Sequence, residues 1–192
     1  MNELAISLNF KIYADRPGVV IDFRTKREYL AHDVQTKILV YEDRVTGWFL
    51  RYGRMLQEHH DAAFVVLQVA LAQVEGIEQY RRGESSEGQS GDFFRSGLKE
   101  IFSLTDADDP WLKDFYRSVR CGLFHDGMTG PRVLIENRFD RTLEFDRNYI
   151  RISPNKFLDA VIGYFEKYVA QLKHSANKEL RETFRKKYDG EV

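Results

Sequence analysis

Disulfides and long apolar runs are both missing from this sequence of 192 residues. Cys121 is its one cysteine, so no internal disulfide can form, which is typical of a reducing compartment such as the cytoplasm. The longest apolar stretch, Ala62 to Val74, is interrupted by glutamines and is shorter than the ~20 residues of a membrane-spanning helix. The acidic start also lacks the apolar run of a signal peptide. We therefore expect a cytoplasmic protein with no membrane partner.

The sequence also lacks a strong charge of either sign. Its 29 basic and 30 acidic residues give a formal net charge of −1. Domains that hold nucleic acid by bulk charge are usually basic, so this balance argues against that class while leaving room for a local basic patch. With 43% hydrophobic and 31% charged residues, the composition is that of a folded globular protein, and the length fits a single domain.

Sequence patterns of metal and cofactor sites are missing as well. There is no paired-cysteine zinc pattern, no glycine-rich phosphate loop and no nucleophile elbow. His59 and His60 are adjacent, so on a helix their side chains would point about 100° apart, and no second ligand pair stands at a useful spacing. The aspartates from Asp106 to Asp109 lack the spacing of a calcium loop. The sequence therefore predicts no metal and no cofactor.

The N-terminal part of the chain alternates between apolar and other residues. Leu4, Ile6, Leu8, Phe10 and Ile12 fall on one face, which is the period of a half-buried strand. A turn signal and a second β-like segment, 19–23, follow. We expect a short β-hairpin here, with residues 1–32 as an N-terminal β elaboration.

The remainder predicts a mainly α fold, a four- to five-helix up-down bundle with a small β insert before the last helix. The serine- and glycine-rich segment Glu84 to Gly91 is expected to be an exposed, mobile loop. The β insert covers residues 132–153, and residues 173–192 form a polar basic tail whose interleaved glutamates favour a solvated helix face. Apolar residues spaced three and four apart place the helices at about 33–56, 62–80, 92–104, 111–125 and 154–172.

An arginine and a histidine stand five residues apart at the end of the fourth predicted helix. These are Arg120 and His125, just before a helix-ending Gly127. In an α-helix five residues correspond to about 140°, so the pair converges only where the last turn loosens. Arginine offers a planar charged fork for phosphate, and histidine titrates near neutrality. A phosphate clamp with a base can move a ribose 2′-hydroxyl proton and stabilise the charged transition state.

The segment Val119-Arg120-Cys121-Gly122-Leu123-Phe124-His125 resembles the Arg-x4-6-His motif of HEPN domains (higher eukaryotes and prokaryotes nucleotide-binding). Members of that family are dimeric bundles of four or five helices. Many are metal-independent endoribonucleases of toxin–antitoxin or anti-phage defence systems, and others are inactive scaffolds or nucleotide binders. The resemblance in architecture covers about Thr36 to Leu172. Cys121 stands where active members usually carry a polar residue.

The resemblance implies a role for each residue of the motif. His125 would act as general base or acid, Arg120 would hold the scissile phosphate, and the homodimer mate would supply a second histidine. Arg117 would widen the phosphate site, and Asp126 would orient His125 or keep it charged. Cys121 is expected to be a small buried group beside them. The implied partners are RNA or a nucleotide, a second copy of the chain and an antitoxin protein.

Three other interpretations remain open at this point. The chain is a catalytically inactive HEPN-like dimeric module that binds nucleotide or protein, or it is an unrelated helical adaptor that uses an aromatic surface. Alternatively, Arg120 and His125 are only cations that complement a helix dipole. A shared cleft at a two-fold interface that contains both side chains would favour the family, whereas side chains splayed on open surface would favour the adaptor.

Overall fold

The N-terminal segment forms a four-stranded antiparallel sheet rather than a two-stranded hairpin. The computed structural model describes residues 3–190. The predicted first strand divides into two strands, and the return strand pairs with a further strand that the alternation did not predict. The strands follow one another in sheet order and are β1 (Glu3–Ala5), β2 (Phe10–Tyr13), β3 (Val19–Asp22) and β4 (Arg27–Leu30).

Asp43 explains why the first predicted strand is interrupted. Its carboxylate, on the first helix, accepts hydrogen bonds from the Ser7 hydroxyl at 2.6 Å and from the Asn9 backbone N–H at 2.7 Å. The Asn9 side-chain amide donates a third bond to the same carboxylate. Residues 6–9 form the turn between β1 and β2, which the backbone N–H groups of Ile6 and Ser7 close on the Phe10 carbonyl, and the bonds to Asp43 attach this turn to the first helix.

The helices follow the predicted spacing closely but differ in kind. The first predicted helix contains a π-helical segment in its middle, and the fourth changes from α-helix to π-helix. Asp33 caps the first helix by accepting a hydrogen bond from Gln35 N–H. The elements are α1 (Val34–Val45), π1 (Thr46–Leu50), α2 (Arg51–Leu56), α3 (Ala63–Arg82), α4 (Ser90–Phe102), α5 (Asp109–Phe115), π2 (Tyr116–Asp126), α6 (Pro154–Lys173) and α7 (Lys178–Asp189).

The core forms around α3, which packs against α2, α4, α6 and α7. An aromatic cluster marks the place where four of the helices meet. The ring of Tyr41 on α1 lies 4.1 Å from Tyr80 on α3, 5.6 Å from Phe165 on α6 and 5.4 Å from Phe184 on α7, between ring centroids. Such pairs stabilise a core by about 0.5–1.5 kcal/mol each beyond their buried area.

The C-terminal tail is a core helix on one face rather than a solvated helix. Phe184 of α7 is fully buried, and Tyr188 is 8% exposed. The predicted solvated face exists, since Arg185 and Glu182 pair at 2.6 Å on the exposed side. Phe184 and Tyr188, four residues apart, lie on the same face of α7, and a helix with one apolar face packs that face against the core.

The β insert is a three-stranded mixed sheet. Its strands are β5 (Val133–Ile135), β6 (Leu143–Phe145) and β7 (Ile150–Ile152), in the order β5-β7-β6. β5 and β7 run parallel, whereas β6 and β7 run antiparallel. α6 begins at Pro154, as its proline predicts. The fold is thus mainly α with the two expected β additions, and in residues 3–190 no helix combines the length and apolarity that a membrane crossing requires.

Replacing Tyr168 by phenylalanine is expected to stabilise the protein. The Tyr168 hydroxyl is buried and has no hydrogen-bond partner within residues 3–190. A buried unpaired group costs roughly 1–3 kcal/mol, so we expect Tyr168→Phe to raise the free energy of unfolding by about 1 kcal/mol at pH 7.

The gain from Tyr168→Phe is expected to grow in alkali. Burial raises the pKa of Tyr168, whereas an unfolded tyrosine ionises near pH ~10. Above that pH the unfolded wild type loses a proton that the folded state retains, so its stability falls relative to the variant. Urea unfolding at pH 7 and near pH ~10.5 measures both effects. A variant less stable than wild type at pH 7 would contradict this account, and so would a difference in free energy of unfolding that does not change with pH.

Candidate functional site

The arginine–histidine pair lies in a π-helix. α5 continues directly into π2, and π2 ends at Gly127, whose φ of 68° is left-handed. Hydrogen bonds in a π-helix run from each residue to the fifth one along the chain. Residues five apart therefore lie about one turn from each other, and the 140° separation expected for an α-helix does not apply. π-helical turns are rare and occur frequently at functional sites.

Gly122 lets the chain fold back on π2. Its carbonyl accepts the backbone N–H of Gly127 and, at 3.3 Å, that of Met128. A Cβ atom added to Gly122 would lie 2.4 Å from the Met128 carbonyl oxygen, closer than any side chain allows. Further along, Gly130 N–H donates to the Ser118 carbonyl at 2.8 Å. The segment after π2 thus covers one face of it and fixes its C-terminal turn.

Arg120 is held by a carboxylate and two aromatic rings. Its Nη2 donates to Glu75 Oε2 of α3 at 2.9 Å, and the two side chains are only 18% and 11% exposed. The guanidinium carbon lies 4.7 Å from the ring centroid of Phe124 and 5.6 Å from that of Tyr116. These contacts are of cation–π type and fix the plane of the guanidinium.

Glu75 is the residue that the sequence interpretation missed. Its Oε1 accepts hydrogen bonds from the hydroxyls of Ser86 at 2.6 Å and Ser90 at 2.7 Å, while Oε2 pairs with Arg120. Buried carboxylates require such partners. The place of Glu75 directly after the apolar run Ala62 to Val74, in α3, was the available signal, because a charge beside a buried run is rarely buried without a partner.

The serine-rich segment is exposed at most positions, as predicted, but two of its serines bind a buried carboxylate. Ser86 is 7% exposed, and Ser90 already belongs to α4. Their bonds to Glu75 attach the segment to the core. Glu84, Glu87 and Gly88 are exposed, so the expected exposure holds for those positions.

His125 lies on the surface at the end of π2. It is exposed, as are the neighbouring Phe124 and Asp126. Within residues 3–190, neither His125 nor Asp126 forms a side-chain hydrogen bond or ion pair, so the two are not linked in this way. The imidazole therefore faces solvent and is accessible to a substrate, whereas the Arg120 guanidinium one turn earlier lies in a shallow, partly buried position.

Arg117 and Cys121 have different surroundings. Arg117 is 79% exposed and pairs with one carboxylate oxygen of Asp114 at 3.1 Å. The other oxygen of Asp114 forms an ion pair with Arg132 at 2.9 Å. Arg117 is thus part of a surface charge network rather than of the Arg120–Glu75 cluster. Cys121 is half-buried beside Tyr116. Burial, with a contribution from Cys121, raises the pKa of the Tyr116 hydroxyl, which favours its neutral, hydrogen-bonding form.

The site thus offers one partly accessible guanidinium, one accessible imidazole and one exposed aromatic ring along a single helix end. Phe124 is 39% exposed, and the next apolar side chain, Met128, is 63% exposed. A guanidinium binds phosphate, an imidazole transfers protons, and an aromatic ring stacks on a base. The part of the chain that is described holds no cluster of three or more His, Cys, Asp or Glu side chains suited to a metal ion.

Gly122→Ala is expected to disrupt the site. Because the added methyl group would meet a backbone oxygen, the turn after π2 must shift, and we expect a loss of about 1–3 kcal/mol in the free energy of unfolding. Amide hydrogen exchange should become faster across residues 118–130. Gly163→Ala is the matched control, since nothing lies within 4 Å of its added Cβ in the middle of α6. It should be neutral or stabilising; equal behaviour of the two variants would contradict the close packing at Gly122.

Comparison of the chain with protein-family models, with curated proteins and with solved structures finds no significant match.

Proposed function

We propose that the chain is a HEPN-like, metal-independent endoribonuclease of the toxin or anti-phage defence type, with Arg120 and His125 as its catalytic residues. The observation that carries the proposal is the π-helical register, in which residues five apart lie about one turn from each other. In an α-helix the side chains of Arg120 and His125 would point in different directions. In the π-helix they can both face one bound substrate.

Arg120 retains donors for a phosphate despite its ion pair. A guanidinium has five N–H groups, and Glu75 occupies a single nitrogen, Nη2. The remaining nitrogens have no hydrogen-bond partner within residues 3–190. Glu75 is thus a positioning residue: together with Phe124 it holds the fork in one plane, and a preorganised fork loses less entropy when it binds an anion.

The proposed reaction is an internal transesterification of RNA. The ribose O2′ attacks the adjacent phosphorus as His125 takes the O2′ proton, so the O2′–P bond forms and the P–O5′ bond breaks. Arg120 stabilises the charge on the non-bridging oxygens. O5′ leaves with a proton from a general acid, for which the HEPN resemblance implies the partner copy's equivalent histidine. The products are a 2′,3′-cyclic phosphate and a 5′-hydroxyl, and no metal ion takes part.

An exposed apolar stripe supports the expected association with a second copy. Trp48, Phe49, Tyr52 and Met55 on π1 and α2 are 40–57% exposed, and their spacing places them on successive turns. Contiguous exposed aromatic residues commonly mark protein interfaces. We propose a homodimer, in line with the resemblance; sedimentation equilibrium of the purified chain tests it, and a monomer at micromolar concentration would contradict it.

Cleavage of a mixed RNA pool in EDTA by the purified full-length protein tests the proposed activity. A DNA pool of the same sequences is the control, because DNA lacks the attacking 2′-hydroxyl. We expect RNA to be cut and DNA to remain intact. Intact RNA with a folded wild-type protein would contradict the proposal, and so would equal cleavage of both pools.

A catalytically inactive HEPN-like module that binds nucleotide or protein is the alternative, and the Arg120–Glu75 ion pair favours it. Glu75 offsets part of the Arg120 charge, which weakens the stabilisation of a highly charged transition state more than the binding of a nucleotide phosphate. On this alternative, titration of the protein with a nucleotide mixture would show binding that Arg120→Gln weakens, while RNA stays uncut in EDTA.

A further inference from the structure

A cavity whose lining includes no residue of π2 lies between the N-terminal sheet and the helices α1 and α7. Its volume is about 590 Å³, within the usual range of small-molecule sites, which is roughly 300–1,000 Å³. Most of the surface of its wall is apolar, and the aliphatic side chains that line it are Ile6, Ile12, Val19, Val20, Ala31 and Val40. Such a wall binds hydrocarbon or aromatic groups.

Three cations line the same cavity, and two of them are already neutralised. Arg16 pairs with Glu28 at 2.6 Å, and Lys37 pairs with Asp189 at 2.5 Å. Arg44 forms no ion pair with any carboxylate in residues 3–190. The adjacent carboxylate of Asp43 is engaged by Ser7 and Asn9.

Two contacts hold the Arg44 side chain in place, and neither of them uses its terminal Nη nitrogens. Its Nε donates to the Ile6 carbonyl at 3.0 Å, and its guanidinium carbon lies 5.7 Å from the ring centroid of Tyr188. The side chain is half-buried. A partly buried, oriented guanidinium without a carboxylate favours an anion from outside the chain, since a buried charge is stabilised by a counter-charge and by hydrogen bonds.

We propose that this cavity binds a small apolar carboxylate, with the hydrocarbon body against the aliphatic wall and the carboxylate on Arg44. The inference is independent of the ribonuclease proposal, because it concerns a different face of the molecule and a binding readout. The apolar wall gives affinity, and the single unpaired cation selects an anionic head over a neutral or cationic one.

Decanoate binding to the full-length protein, measured by calorimetry, tests the proposal. Decanol and decyltrimethylammonium are the head-group controls, with the same hydrocarbon chain. We expect saturable binding of decanoate with one site per chain. Both controls should bind at least about tenfold more weakly, because one charge-assisted hydrogen-bonded pair contributes about this difference in affinity. No saturable binding of decanoate, or equal binding of all three, would overturn it.

Two variants locate the ligand. Arg44→Met keeps an apolar stem against Tyr188 and removes the charge, so decanoate binding should weaken at least about tenfold while decanol binding stays within about twofold. Ile12→Phe reduces the space and should weaken both. Arg54→Met, at an exposed arginine on α2, is the matched control and should change neither. Unchanged decanoate binding by folded Arg44→Met and Ile12→Phe would overturn the proposal.

Discussion

His125→Ala is expected to lower the rate of RNA cleavage in EDTA by about 10²–10⁴-fold, which is the usual contribution of a general acid or base. The side chain is exposed and, within the described residues 3–190, makes no hydrogen bond, so its removal leaves no buried group unpaired. The fold and the melting temperature should therefore be unchanged. The measurement is the initial rate on a labelled RNA pool, with the circular dichroism spectrum of each protein recorded alongside.

His60→Ala is the matched control for His125→Ala. His60 is also exposed, but it lies in the turn between α2 and α3 rather than on π2. Its substitution should leave cleavage within about twofold of wild type, as is usual for surface changes away from a site. If His60→Ala and His125→Ala cleave equally well, His125 is not catalytic.

The Arg120–Glu75 pair is expected to couple strongly in folding. Glu75→Ala leaves a largely buried guanidinium and two serine hydroxyls without their carboxylate, and we expect a loss of about 3 kcal/mol in the free energy of unfolding. Arg120→Ala leaves the carboxylate uncompensated and should cost a similar amount. The double variant leaves neither charge without a partner. Its loss in free energy of unfolding should therefore be smaller than the sum of the two single losses by about 1–3 kcal/mol. Urea unfolding of the four proteins measures this coupling.

The exposed pair Arg185–Glu182 on α7 provides the control cycle. Its side chains are 48% and 65% exposed, compared with 18% and 11% for Arg120 and Glu75. An exposed pair of this kind couples by less than ~1 kcal/mol. Equal coupling in the two cycles would contradict the assignment of Glu75 as the residue that positions Arg120.

The positions of most helices could be predicted from the sequence, because apolar residues at spacings of three and four are a local signal. Pro154 and Gly83 mark a helix start and a helix end as expected. The burial of α7 was not predicted, because its many charged residues indicated a solvated face and hid the signal of Phe184, which is buried. The division of the first strand depends on Asp43, some 34 positions away from Asn9, and no local pattern reports such a contact.

The candidate site was found in sequence, but its geometry was not. Local spacing pointed to Arg120 and His125, yet spacing alone does not reveal that this segment is a π-helix rather than an α-helix. The partner of Arg120 comes from α3, 45 positions away. Pairing across helices is a tertiary property, so Glu75 could be suspected only as a carboxylate that directly follows an apolar run.

The chemistry of the RNA ends tests the central claim most directly. A defined oligoribonucleotide is incubated with the wild-type protein in EDTA, and the products are weighed by mass spectrometry. We predict fragments whose 3′ end is a 2′,3′-cyclic phosphate, one water lighter than the 3′-phosphate, paired with fragments that carry a 5′-hydroxyl. Fragments with 5′-phosphate ends, or an uncut oligonucleotide, would contradict a metal-independent attack by the 2′-hydroxyl at Arg120 and His125.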